Sequence, residues 1–502
     1  MFKHLFERKP LSLLHEEMKS DNRLRRVLGA WSLTSLGVGC IIGAGIFVVT
    51  GLVAHDKAGP ALMVSFVVAG LACVFSALCY AEFASMAPVA GSAYTYAYAT
   101  LGEFFAWIIG WDLVLEYTVA SASVAHGWSK YFQNFIGIFG AKVSPLLAKA
   151  PYDYDPARGA FATGGFFDLP ALVIVLLLTI VLVIGIRESS RFNNVMVVVK
   201  VVVVLVFIGV GAFYINPANW RNFAPYGWTG LSVFGKTVLG QVGQDGAPVG
   251  MLAGAAMIFF AYIGFDSVST HAEEAKNPQR DVPIGIISSL LICTVLYIAV
   301  TVVLTGMVPY QLIDRDAAVA VAFQSVGLRW GQFVISLGAV AGITSVMLVL
   351  MLSQPRVLLA MARDGLLPKS FFGAVHPRFR TPWKSTMLTG GVVALMASFI
   401  PLGILAELVN IGTLLAFVIV CAAVLIMRMT NPQAERPFRC PAVPVIPILG
   451  ILFCLVLMFS LPSQNWLRLF VWMAVGMVIY FAYGRFHSVM AERRKTGQSE
   501  PK

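Results

Sequence analysis

The chain has 502 residues, of which 58% are hydrophobic and only 12% charged, far too few charges to cover a water-soluble protein of this size. Lipid must be much of its solvent. The net charge of +11 is what positively charged inner loops give a membrane protein, so it does not argue for nucleic-acid binding.

In chain order, residues 1–29 carry seven Lys and Arg (Lys3, Arg8, Lys9, Lys19, Arg23, Arg25 and Arg26) and no apolar run of signal-peptide kind. They read as a cytoplasmic segment, either a surface helix on anionic lipid through Leu11, Leu13 and Leu14 or a loose tail. Twelve apolar segments follow, each near the roughly 20 residues that a membrane span needs. They lie at 30–53, 60–86, 104–128, 170–186, 193–215, 249–272, 283–308, 331–353, 385–403, 405–427, 443–461 and 466–484. An even number places both termini on one side. The loops on that side, with the tails, hold 25 Lys and Arg against 10 on the other, and Lys200 within the fifth segment completes the 36. Positive charge is retained in the cytoplasm, which therefore receives both ends, residues 485–502 included. The stretch from Ala87 to Glu103 is the exception, an inner loop without a basic residue.

The first segment contains Gly37, Gly39, Gly43 and Gly45 in the run GVGCIIGAGIF, and each glycine costs a helix about 1 kcal/mol relative to alanine. Such a cluster either packs closely against a neighbouring helix or lets the helix unwind where it is shielded from lipid. The sixth segment carries a matching irregularity, with Gly264 and Asp266 inside FFAYIGFDS. Interruptions at equivalent places in two halves point to the substrate site of a secondary transporter. Half-helix amino ends would receive a carboxylate and freed carbonyls an ammonium, a geometry that suits an amino acid.

Charged residues within the apolar segments carry further signals. Lys200 lies nine residues beyond Arg191, about 13 Å in at 1.5 Å per residue, too deep for its stem to reach either surface. Burial disfavours the ammonium, so this lysine could gain and lose a proton near neutral pH. Glu116 follows Asp112 by one helical turn on the same face. It marks an ion or substrate path or makes a structural hydrogen bond to a neighbour, and the sequence leaves both open. Asp266 either caps a half-helix or faces the path. Glu82, Glu273, Glu274, Lys276, Arg280 and Asp281 read as gate or loop ion pairs, weak individually.

Other functional classes lack their signatures. His126 and His271 stand isolated at segment ends, no HExxH or phosphate-binding glycine loop occurs, and the seven cysteines show neither disulfide nor zinc spacing. An enzyme, a cofactor and a metal site are therefore not expected. A channel would show a filter motif or charge rings, and a receptor would bind without accumulating its ligand.

With GVGCIIGAGIF, YAEFAS at 80–85, ESSRFNNVMVVVK at 188–200, FFAYIGFDSVSTHAEEAKNPQRDVPIGI at 259–286 and QPRVLLAMARDGLLP at 354–368, the chain resembles the amino acid, polyamine and organocation superfamily. Within it, the resemblance is to the bacterial branch of the cationic amino acid transporters. This implies an all-α membrane protein of the leucine-transporter-like fold, with twelve transmembrane helices. Residues 30–215 and 249–427 would be two inverted five-helix repeats, and 443–484 two further helices. It also implies a permease of the inner membrane that imports amino acids with protons, or alternatively a sodium-independent exchanger, one for cationic amino acids included. By the family motif Ile41, Ile42, Gly43, Ala44 and Gly45 contact the substrate's carboxylate and amine, and Phe260, Ala261 and Ile263 add carbonyls and a gating ring. By the same resemblance a small polar or small residue is usual where Ala44 stands, so a lost side-chain hydroxyl would leave carboxylate binding to backbone amides. Glu116 would attract a cationic group, and Ile343 would fill the space that arginine carriers keep open. Lys200, near Thr344 and Ser345, would take the place of a sodium ion and couple protons. Partners would be substrate, protons and the bilayer, while an accessory subunit is not legible in the sequence.

Overall fold

A backbone surrounded by lipid can hydrogen-bond only to protein, which makes the helix the economical way to cross. The computed structural model describes residues 7–9, 28–86, 92–155, 160–163, 165–184, 189–233, 236–243, 246–379 and 381–495. The expectation for residues 1–29 thus falls mostly outside the described residues, as does Glu188. Among the described residues eight helical stretches are long and apolar enough to cross a membrane, the first of them continuous from Ala30 to Met86, and two shorter apolar helices accompany them.

A helix lies over each apolar segment. The first begins as α1, Ala30–Ile41, and resumes after a break as wide and tight helical turns from Gly45 to Ala61. Then come α2, Leu62–Met86; the short α3, Ser92–Thr100; α4, Glu103–Ile138; α5, Leu169–Ile184; and α6, Ser189–Gly211. The sixth segment is α7, Met251–Ile258, then a tight turn, Phe259–Tyr262, and α8, Ser267–Thr270. Beyond it lie α9, Pro278–Met307; α10, Ala318–Ser325; α11, Arg329–Arg363; α12, Trp383–Phe399; α13, Leu402–Thr430; α14, Val445–Phe459; α15, Ser463–Ile479; and α16, Val489–Lys495. Three small antiparallel strand pairs decorate the loops, such as Gln241–Val242 with Pro248–Val249.

Two of these helices are about ten residues longer than the apolar segments suggest. α4 continues to Ile138 and α11 to Arg363, because helix continues through the amphipathic runs HGWSKYFQNFIGI and QPRVLLAMAR after lipid-compatible composition ends. They pack along each other and form the spine of the molecule. The stretch expected as an inner loop after Ala87 contains α3. Its Tyr94 hydroxyl donates to Asp364 Oδ2 at 2.7 Å, while Lys9 Nζ donates to Asp364 Oδ1 at 2.8 Å. Val489 N reaches Asp364 O at 2.9 Å, so described residues of both tails dock at the same end of the bundle. Lys9 is buried there rather than loose.

The pairs read as weak surface contacts are not uniformly so. Glu82 is fully buried and receives Arg428 through two bonds of 3.0 and 2.7 Å and the Cys440 amide at 2.7 Å, with Arg436 Nε at 3.2 Å. Glu274 pairs with Arg356 at 3.2 Å, half-buried. Nor is His126 isolated: its Nδ1 lies 3.2 Å from Asp168 Oδ2, and its Nε2 lies 2.6 Å from Ile400 O.

Candidate substrate and coupling site

The two interrupted helices meet at the middle of the molecule, and glycine makes the meeting close. A Cβ at Gly45 would collide with the Ala261 backbone, and one on Gly264 would come 3.0 Å from Cys40 Cβ. Gly264 also has φ +112°, a conformation that side-chain-bearing residues avoid. The clustered glycines thus serve the break itself, and close packing as well.

Unwinding frees carbonyls, and buried side chains from neighbouring helices take them up, as burial requires. Tyr297 of α9 places one hydroxyl 2.6 Å from Ile41 O and 3.0 Å from Ala261 O, bridging both breaks. Tyr131 donates to Phe47 O at 2.7 Å and Asn410 to Ala256 O and Met257 O at 2.8 and 3.0 Å, while Tyr262, within the second break, donates to Phe66 O of the intact α2 at 2.9 Å. On the other side of the first break the helix restarts at Ala44 with no capping side chain, which leaves its opening N–H groups available to an anion.

A small cavity lies between the breaks, with about 10 Å³ open to the centre of a water-sized sphere, room for about one water. Ile41, Gly43, Ala44, Gly45, Phe260 and Ile263 line it, as the sequence suggests, together with Cys40, Ala120, Val124, Val346 and Leu350. The lining is buried and largely apolar. An amino acid needs more space than this cavity offers. Ile42 and Ala261 do not line the cavity: the first gives its carbonyl to Lys200, and the second meets Gly45. Ile343 is fully buried and also outside the lining, one turn before Val346 on the same stripe of α11.

Lys200 is fully buried. Its ammonium donates to Gly39 O at 2.5 Å, Ile42 O at 3.2 Å, Gly342 O at 3.4 Å and Ser345 Oγ at 2.9 Å. It therefore holds the last carbonyls of α1 against the middle of α11, the attractive position for a cation at a helix carboxyl end. Gly342 makes this possible, since a Cβ there would stand 3.1 Å from Lys200 Cβ. Thr344, expected beside the lysine, instead accepts from Trp128 Nε1 at 2.8 Å and donates to Val340 O.

Glu116 is buried on α4 one turn before the cavity-lining Ala120, facing Thr413 of α13 rather than the cavity. Asp266 stands at the start of α8 without capping it, and its Oδ2 accepts from Tyr117 at 2.9 Å. Tyr297, Val346 and Leu350 belong to the site without any mark in the sequence. A tyrosine or an aliphatic residue within an apolar run carries no signal of its own, and only the helix spacing from Ile343 could have drawn attention to the latter two.

The sequence profile of the family described as amino acid permease matches residues 28–483. The chain is 48% identical over 486 residues to the methylthioribose transporter of Bacillus subtilis, covering 97% of this chain and 99% of that protein. It is equally identical over 485 residues to the branched-chain amino acid permease BcaP of the same organism, covering 96% and 98%. With the vacuolar cationic amino acid transporter 4 of Arabidopsis thaliana the identity is 32%, over 97% of this chain and 96% of that one.

Proposed function

The chain belongs to the amino acid permease family, a family of transporters and not of enzymes, and on that basis we propose that it imports amino acids together with protons by alternating access. In this reading it has twelve transmembrane helices with both termini in the cytoplasm of a bacterial-type cell, two inverted five-helix repeats at 30–215 and 249–427, and two further helices. Proteins with its resemblance share that architecture.

The observation that carries the coupling is the position of Lys200. Its ammonium joins the carboxyl end of α1, at the wall of the cavity, to Gly342 and Ser345 of α11. Charged, it holds the two together. Neutral, it keeps at most part of that network, because the lone pair that replaces the third N–H cannot donate, and α1 is freed to move. Substrate would enter with its carboxylate at the uncapped restart of the first segment and its ammonium toward the carbonyls bridged by Tyr297. A proton on Lys200 would favour one state of α1 and its loss the other.

Relatives of equal similarity are named for methylthioribose and for branched-chain amino acids. The side-chain end of this cavity, made by Ala120, Val124, Val346 and Leu350, supports a small neutral amino acid over arginine. Counterflow in proteoliposomes tests the reading. Labelled alanine should exchange against unlabelled alanine, and an inward pH gradient should convert exchange into accumulation. Exchange that no pH gradient can turn into accumulation would replace symport by the exchanger alternative, and the absence of both would remove alanine as a substrate.

A further inference from the structure

Three carboxyl groups, Asp112, Glu116 and Asp266, are buried within the bundle, and none has a basic partner among the described residues. Asp112 is 1% exposed, and no protein group hydrogen-bonds either of its oxygens. Glu116 Oε1 and Asp266 Oδ1 are equally without a partner. The carboxylates that act on Glu116 are Asp266 and Asp112. Tyr80, on another helix, is fully buried with a hydroxyl that also lacks a partner, and the groups that act on it first are Asp266 and Glu116. This buried phenol without a partner comes from a different helix and is an observation separate from the acids themselves.

We propose that Asp112, Glu116 and Asp266 form a second proton-binding site, distinct from Lys200. Unpaired carboxylates in a low-dielectric interior cannot all be ionised at once, since each charge raises the cost of the next. An ionised carboxyl accepts only, whereas a protonated one donates, so a proton adds a donor among acids of which Asp266 already receives the Tyr117 hydroxyl. The facing groups on the packed elements are Cys40 from α1, Cys73 and Tyr80 from α2, Tyr117 from α4 and Thr413 from α13, none of them cationic. Asp112 rests against Gly412, where a Cβ would come 2.7 Å from Oδ1. The ligand is a proton and not a metal ion, because no group of three acidic, histidine or cysteine side chains among the described residues converges enough to hold a metal. None of the acids hydrogen-bonds the lysine, whose acceptors are Gly39 O, Ile42 O, Gly342 O and Ser345 Oγ, although Cys40 neighbours both Lys200 and Asp266.

Infrared spectroscopy of the purified full chain in lipid, without substrate, reads this directly and does not depend on transport. At neutral pH the protein should show a protonated-carboxyl C=O stretch that shifts in D₂O. Asp112→Asn should remove at least one component of it, and Lys200→Met should leave it in place. If Asp112→Asn does not insert, Gly412→Ala keeps the carboxyl but presses a methyl against it, and should shift the same component. A wild-type protein without that stretch, or one whose stretch ignores both substitutions, overturns the proposal. Loss of the stretch in Lys200→Met shows one shared site and overturns its separateness, and its loss on adding calcium or potassium assigns the site to a cation.

Discussion

Gly45 shows how little room the central contact leaves. A methyl there meets the Ala261 backbone, which cannot rotate away as a side chain could, so Gly45→Ala should insert and purify but lose nearly all uptake. Size-exclusion profiles alongside transport assays check this, and normal uptake would show that the breaks are not held at contact distance. Selectivity is a residue-scale matter too. Ile343 continues the stripe of Val346 and Leu350 beyond the present cavity, where a longer substrate would extend. Overpacking a fitted site costs about 1 to 3 kcal/mol, roughly 5- to 150-fold in affinity. Competition against labelled alanine should therefore find arginine weak in the unmutated protein and improved in Ile343→Ser. Arginine matching alanine before mutation would show that Ile343 restricts nothing.

At the scale of elements, the loop joining α13 to α14 is fixed by Glu82, which meets two guanidinium groups and the Cys440 amide. Removing one partner of a buried ion pair typically costs about 3 to 5 kcal/mol. Glu82→Gln should lower the thermal unfolding midpoint in detergent markedly. Arg428→Gln should cost less, because that side chain is 26% exposed and Arg436 would remain. Equal small shifts for both would mean that the pairing is incidental. The same elements show what the sequence reveals. Helix positions and the two breaks are legible because lipid imposes apolar composition and because glycine clusters are costly without purpose. Lys200 is legible because charge is expensive there. The extra turns of α4 and α11 are not, since beyond the membrane helix no longer needs apolar residues. Glu82 and Arg436 are more than 300 positions apart, and Tyr297 bridges chain segments through one hydroxyl, and no local pattern encodes such pairings. Thr344 and Ser345 are neighbours of similar chemistry in sequence, yet 100° apart around α11, and only Ser345 faces the lysine.

For the molecule as a whole, an ammonium fixed between α1 and α11 supplies the positive charge that a bound cation would otherwise bring, so uptake should be indifferent to replacing sodium by choline. A strong drop would mean that sodium has a site of its own. The coupling claim is tested most directly in sealed proteoliposomes free of any pump, acidic outside and alkaline inside, loaded with no substrate and supplied with labelled alanine. The unmutated protein should concentrate alanine above its external level until the pH gradient is collapsed. Lys200→Met, which keeps the length of the stem but carries no proton, should only equilibrate it, and accumulation by that variant to the unmutated level would contradict the account.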